Sequence, residues 1–273
     1  VHTINFQDHV AQQLDRTSFG RQRRRLRSAT LLLDLVAAVA LLITLFAGFP
    51  IWPVAILAGL ALLAGAGWIY YEIRFQDLKP LRSILQAGLA GQRRMAGLLS
   101  GLEDEYFLLN NVQLPGRADD IDHIIVGPNG IFALETKNHR GRITWQEGQW
   151  LQVKMSNSGR AQPPSPMRDP AHQLKRNIDY LRSCINQTDP SLSRRTRLWV
   201  EGIVAFSHRS ITLDLPASVE DSLPFPVMYA QDVPAHIQSH VPRRRLSKSE
   251  VRQIVSMLAH LNTPRWVHRQ AAR

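Results

Sequence analysis

Between Asp120 and Gly141 the chain reads DIDHIIVGPNGIFALETKNHRG, an apolar run that carries two carboxylates and an amine at Asp122, Glu135 and Lys137. The run has the pattern of two strands joined by a tight turn at GPNG. With Pro128 and Asn129 at the tip, Gly127 faces Gly130, Val126 faces Ile131, and the ladder continues to Asp122 opposite Glu135. Side chains directly opposite one another share a sheet face with their β-carbons about 5 Å apart, where like charges repel. A divalent cation held by both carboxylates offsets that repulsion, and Lys137, two residues beyond Glu135, adds a positive group on the same face. The competing reading is a solvated strand edge, on which Asp119, Asp120 and Asp122 serve solubility.

Three helices and several strands must position these groups. PLRSILQAGLAGQRRMAGLLSGL places Leu81, Leu85, Gly88, Met95 and Leu99 near one helical face, with Gln92 a polar residue inside the apolar stripe. DPAHQLKRNIDYLRSCI opens with Asp169 as a cap and Pro170 in the first turn, and Leu174, Ile178, Leu181 and Ile185 recur at helical spacing. SKSE, Ser247 to Glu250, is a capping box that starts a last helix, which Pro264 should stop. RLWVEGIVAF and FPVMYA read as strands, and Ser156 to Asp169 as an irregular Pro-rich loop. The texture is α/β.

Ahead of this domain lie SATLLLDLVAAVALLITLFAGFP and IWPVAILAGLALLAGAGWIYYEI, each with an almost uncharged stretch of about 20 residues, the length that crosses hydrocarbon as a helix. The expectation is a two-helix transmembrane hairpin over 29–73, following a basic segment 1–28. A domain over 79–263 and a basic tail over 264–273 complete the chain. Arg21 to Arg27 precede the first span and Arg74, Lys79 and Arg82 follow the second, so both termini and the domain should be cytoplasmic at the cell (inner) membrane. Trp52, Trp68, Tyr70 and Tyr71 sit where interfacial aromatics belong, and Asp34 lies near the end of its span.

The 273 residues suffice for a real core without staples, and the lone Cys184 excludes an internal disulfide or a cysteine-based zinc site. Lys and Arg outnumber Asp and Glu by 33 to 22, and the formal charge of +11 favours polyanions or anionic lipid. Arg140, Arg142, Lys154, Lys175 and Arg176 are candidates to hold a nucleic-acid backbone, or are a solvated basic face. His123 falls on the opposite strand face from Asp122, so a core role fits it better than ligation, as packing fits Trp145 and Trp150 better than base stacking.

The motif DIDHIIVGPNGIFALETKNHRGRI followed by W resembles the centre of the NERD (nuclease-related) domain, whose members are similar to restriction-endonuclease-like PD-(D/E)XK nucleases. The resemblance runs roughly from Gly88 to Ala230 and takes in Pro170 to Gln173 and the strand GIVAFS. It implies a mixed sheet flanked by helices, metal binding by Asp122 and Glu135, a catalytic Lys137, and Gln173 lining the site. It implies Mg²⁺ or Mn²⁺ as cofactor, nucleic acid as partner and phosphodiester hydrolysis as activity. One position departs: where the family has a glutamate after a G-x-x-G step, GLAG is followed here by Gln92, which adds no charge. That leaves two alternatives to a membrane-tethered nuclease: a nuclease-fold module that binds nucleic acid without cutting, and a scaffold for a protein partner.

Overall fold

The expected hairpin forms around GPNG, with Gly127 paired to Gly130, Val126 to Ile131 and so on to His123 with Leu134. Gly127 has no alternative there, because any β-carbon would enter the ring of Tyr106. The computed structural model describes residues 1–6, 20–47, 52–117, 119–156, 160–196 and 199–262. They divide into one unit of 1–9 with 87–273 and another of 10–86.

In the first unit a six-stranded sheet has the order β1 (His2–Asn5), β2 (Phe107–Gln113), β3 (Asp120–Gly127), β4 (Gly130–Lys137), β8 (Val200–Phe206), β10 (Val227–Tyr229). It is mixed: β2, β3 and β4 run antiparallel in succession, and β1, β8 and β10 join in parallel. A second sheet pairs β5 (Gly141–Gln146) with β6 (Gln149–Val153) across a Glu147-Gly148 turn in which both residues have positive φ, as a two-residue hairpin requires. The two-residue β7 (Ser165–Pro166) and β9 (Ile211–Asp214) complete that sheet. The stretch expected to be irregular throughout therefore contributes β7, and Met155 bridges Ala161.

Apolar side chains fill both faces of the large sheet. Ile124, Val126, Ile131, Ala133 and Val204 share one cluster with Leu174, Ile178, Leu181 and Ile185 of α3 (Pro170–Thr188) and with Ile254 and Leu258 of α7 (Lys248–Leu261). Ile125, Phe132, Leu134, Ile203 and Ala205 share the other with Met95 and Leu99 of α2 (Trp52–Leu99) and with Val233 and Ile237 of α6 (Val233–Ser239). Alternation along each strand accounts for this division. Asp169 caps α3 by accepting from the His172 amide at 2.9 Å, and Ser247 with Glu250 forms the expected capping box. Short helices α4 (Pro190–Thr196) and α5 (Ala217–Glu220) occupy connections.

Several expectations change. Residues 2–5, expected within a separate basic segment, form β1 beside β2. No break separates the second apolar stretch from the domain's first helix, because α2 runs from Trp52 to Leu99 with Pro80 inside it. The described parts of both apolar stretches are helical, the first within α1 (Gly20–Ala47), with Leu31, Leu35, Leu42 and Phe46 exposed on α1 and Trp52, Ile56, Leu62 and Leu63 exposed on α2. Among the described residues, however, no helix is long and apolar enough to cross a membrane, so the two expected spans are not found as such. The connection at 48–51 and the basic tail at 264–273 lie outside the described residues.

Candidate active site

The ladder between β3 and β4 ends one pair short of the carboxylates. His123 with Leu134 is the last pair, and beyond it the Thr136 amide donates to Asp122 Oδ2 at 2.7 Å. The β2–β3 pairing is interrupted at the same place: Asn110 faces His123 and Val112 faces Ile121, but Asn111, with φ 57°, and Asp122 between them do not pair. The register is the same on both sides of this gap but the alternation of faces is not, since Ile121 and Ile124 share one apolar cluster although three residues apart, as do Leu109 and Val112. Asp122 is therefore not a simple cross-strand partner of Glu135. It nonetheless stays near enough for its charge to act on Glu135.

Four elements meet at the site. Gln92 Nε2 of α2 donates to Asp122 Oδ1 at 2.6 Å. Lys137 Nζ of β4 lies 2.5 Å from Glu135 Oε1 and donates to Gln173 Oε1 of α3 at 3.2 Å. Both carboxylates are buried, and Lys137 is the more accessible member of its ion pair, at 18% side-chain exposure against 5% for Glu135. Burial and the Asp122 carboxylate push Glu135 up to about 8, against the opposing pull of the Lys137 ammonium. All five sequence-predicted site residues are thus brought together.

Gly91, last residue of the GLAG step, explains how α2 comes so close. A β-carbon there would lie 2.6 Å from Asn138 Cβ and 2.9 Å from Ser207 Oγ, whereas Gly88 faces open space. Asn138 Nδ2 also donates to the Ala87 carbonyl at 2.7 Å, tying the end of β4 to this helix. Sequence reasoning missed Asn138 and Ser207; their only signal is a position just past β4 and β8.

The other candidates lie elsewhere. His123 is buried, bonded to Asn110 Oδ1 at 2.7 Å, and burial pulls it down to about 3, so it stays neutral. His139 bonds Gln152 Oε1 at 3.1 Å. Trp150 is fully buried with Trp145 edge-on at 5.4 Å, which is packing. Of the basic candidates, Lys175 pairs with Asp179 and Arg142 with Asp214, so neither is an uncompensated cation.

The donors suit a hard divalent cation. Once Gln92 turns its amide nitrogen to Asp122, its Oε1 is left buried with no hydrogen-bond donor. Two carboxylates and an amide oxygen are the oxygen ligands that Mg²⁺ accepts. Among the described residues no group of three or more His, Cys, Asp or Glu side chains converges, so water or substrate oxygens would complete the shell.

Residues 87–207 match the nuclease-related domain (NERD) family. The chain carries a nuclease-related domain. That domain belongs to the restriction-endonuclease-like superfamily, and the matched stretch contains Gln92, Asp122, Glu135, Lys137 and Gln173 but stops at Ser207, short of Ala230. An uncharacterized protein of Bacillus anthracis is 31% identical over 137 residues, which are 46% of this chain and 62% of that protein. The probable kinase PglW of Streptomyces coelicolor is 23% identical over 149 residues, 54% of this chain and 9% of that protein. The chain thus spans under two thirds of the first and under a tenth of the second. No solved structure gives a significant match.

Proposed function

We propose that the nuclease-related domain hydrolyses phosphodiester bonds of nucleic acid with Mg²⁺ or Mn²⁺. The observation that carries this reading is the convergence of Gln92, Asp122, Glu135, Lys137 and Gln173 from four elements, with an acceptor oxygen left unused. Asp122, Glu135 and the Gln92 oxygen would hold the cation, which when bound supplies Lewis acidity toward phosphoryl oxygen and water. The chain's own groups do the rest. Gln92 and the Thr136 amide fix Asp122, and Gln173 aims the Lys137 ammonium. Lys137 is placed to orient a water and to donate to charge that develops on the phosphate. Cleavage of labelled single- and double-stranded DNA and RNA by the full chain tests this. Loss of cutting in Glu135→Ala and Lys137→Ala is expected, and cutting that survives both changes sinks the proposal.

A second reading has one observation behind it. Glu135 already has an ionic partner in Lys137 at 2.5 Å, so its charge is met without a cation. A domain that grips nucleic acid and does not cut would show binding with no heat of Mg²⁺ addition.

We propose further that the unit of 10–86 attaches the domain to the cytoplasmic face of the cell membrane. The support is the run of exposed Leu, Ile, Phe and Trp side chains on α1 and α2, which water covers at high cost. Fractionation of cell membranes at physiological salt separates the outcomes: recovery in the membrane pellet is expected, and recovery in the supernatant counts against attachment. A reporter fused after Arg273 and found outside the cytoplasm would overturn the sidedness.

A further inference from the structure

The basic residues outside the acid–lysine cluster are not spread evenly. Beyond β4 and β8 two loops run side by side, joined at one end by the Ser207 amide donating to the Lys137 carbonyl at 2.9 Å and at the other by the Gly141 amide donating to the Ser210 carbonyl at 2.8 Å. Arg140 projects from the first loop, and His208 and Arg209 from the second; both arginines are exposed. Arg94 of α2 reaches the same lip, donating through Nη1 to the Ser207 carbonyl. The His208 imidazole is held below its ordinary pKa first by burial and then by the charges of Arg94 and Arg140. Its Nδ1 accepts from the Ser210 amide at 3.0 Å, so the neutral ring carries its proton on Nε2 and can still donate.

Like charges gathered on one lip repel, and an anion laid across them relieves that repulsion. Arg140 lies three residues after Lys137. We propose that Arg94, Arg140, His208 and Arg209 form a phosphate-binding lip that grips the nucleic-acid backbone immediately beside the bond to be cut. This rests on the nuclease-related reading and sharpens it. The lip works through phosphate charge and geometry alone, so it positions a strand without reading its bases. It also revises the expected basic face: Arg140 belongs to the lip, whereas Lys175 and Arg142 are held by acids.

The test is fluorescence anisotropy of a labelled 20-nucleotide single-stranded DNA with the full chain in detergent and EDTA, titrated at several salt concentrations. Arg140→Gln combined with Arg209→Gln removes two exposed charges. Arg252→Gln, which removes one charge from α7 near Pro128 at the turn end of the sheet, is the control. Two lost phosphate contacts should lower the salt slope by about 1.4, at about 0.7 each for a single strand, and weaken binding about tenfold. The control should match the unaltered chain. Equal binding and slope in the double variant, an equal loss in the control, or no binding by the unaltered chain would each overturn the lip. Because EDTA removes the divalent cation that hydrolysis needs, the two proposals fail separately. A chain that cuts nothing but loses binding in the double variant keeps the lip and loses hydrolysis; a chain that cuts but binds regardless of the lip does the reverse.

Discussion

Gln92 Nε2 stands 2.6 Å from Asp122 Oδ1, so a neutral amide holds one of the two buried acids in place. Gln92→Glu would put a third carboxylate at this point and remove that donor. Without a cation the variant should be less stable by about 1.5–3 kcal/mol, the usual worth of a hydrogen bond to a charged group. With Mg²⁺ the order should reverse, and calorimetry should show tighter cation binding than in the unaltered chain. Unchanged affinity would mean that the amide oxygen does not face the cation site.

Gly91→Ala tests the close approach that brings α2 to the site. Its β-carbon would sit 2.6 Å from Asn138 Cβ, an atom bonded directly to the backbone that no side-chain rotation can move aside. Overpacking of this kind costs about 1–3 kcal/mol, which the urea midpoint would register. Gly88→Ala, facing open space, should be neutral or slightly stabilising.

Lys137→Met removes the ammonium and keeps most of the side-chain volume. If Lys137 donates to the developing phosphate charge, turnover should fall about 10²–10³-fold, as when one preorganised donor is lost. Substrate binding, measured separately by anisotropy, should change far less. An equal loss in both would assign Lys137 to holding the strand.

Glu250 supplies a pH dependence away from the site. The Ser247 amide and the Arg244 guanidinium, at 2.9 Å each, hold its carboxyl down at about 2, below an unfolded value near 4.5. A depressed acid stabilises the fold fully above the unfolded pKa, and that contribution is lost as pH falls toward the folded one. Glu250→Gln should therefore cost about 1 kcal/mol at pH 7, a typical cap. The gap to the unaltered chain should narrow between pH 5 and pH 3; a constant gap would mean that packing and not charge is at stake.

Much of the hairpin was legible in the residues. GPNG demands a tight turn, and once the tip is placed the strand period of two carries the register outward to His123 and Leu134. The caps at Asp169 and Ser247 were legible for the same reason, because a cap is a contact between residues three apart. The nature of the two acids and the lysine, and their closeness in the chain, pointed to a cation, and phosphodiester chemistry came only with the family resemblance.

Contacts between residues distant in the chain were not legible. Where Asn111 and Asp122 drop out of the β2–β3 ladder, Asp122 takes the Thr136 amide, a displacement that no local pattern announces. That β1 joins β2 from more than 100 residues away, and that Arg94 reaches the Ser207 carbonyl, follow from which elements the sheet order sets side by side. Local periodicity is written into neighbouring residues, and so the sequence by itself determined the strands of the central hairpin, its turn, the caps and the residue types gathered at the site. Which helix closes over the acids, and which charges end up beside them, is set by packing across the whole sheet, and only the tertiary structure decided it.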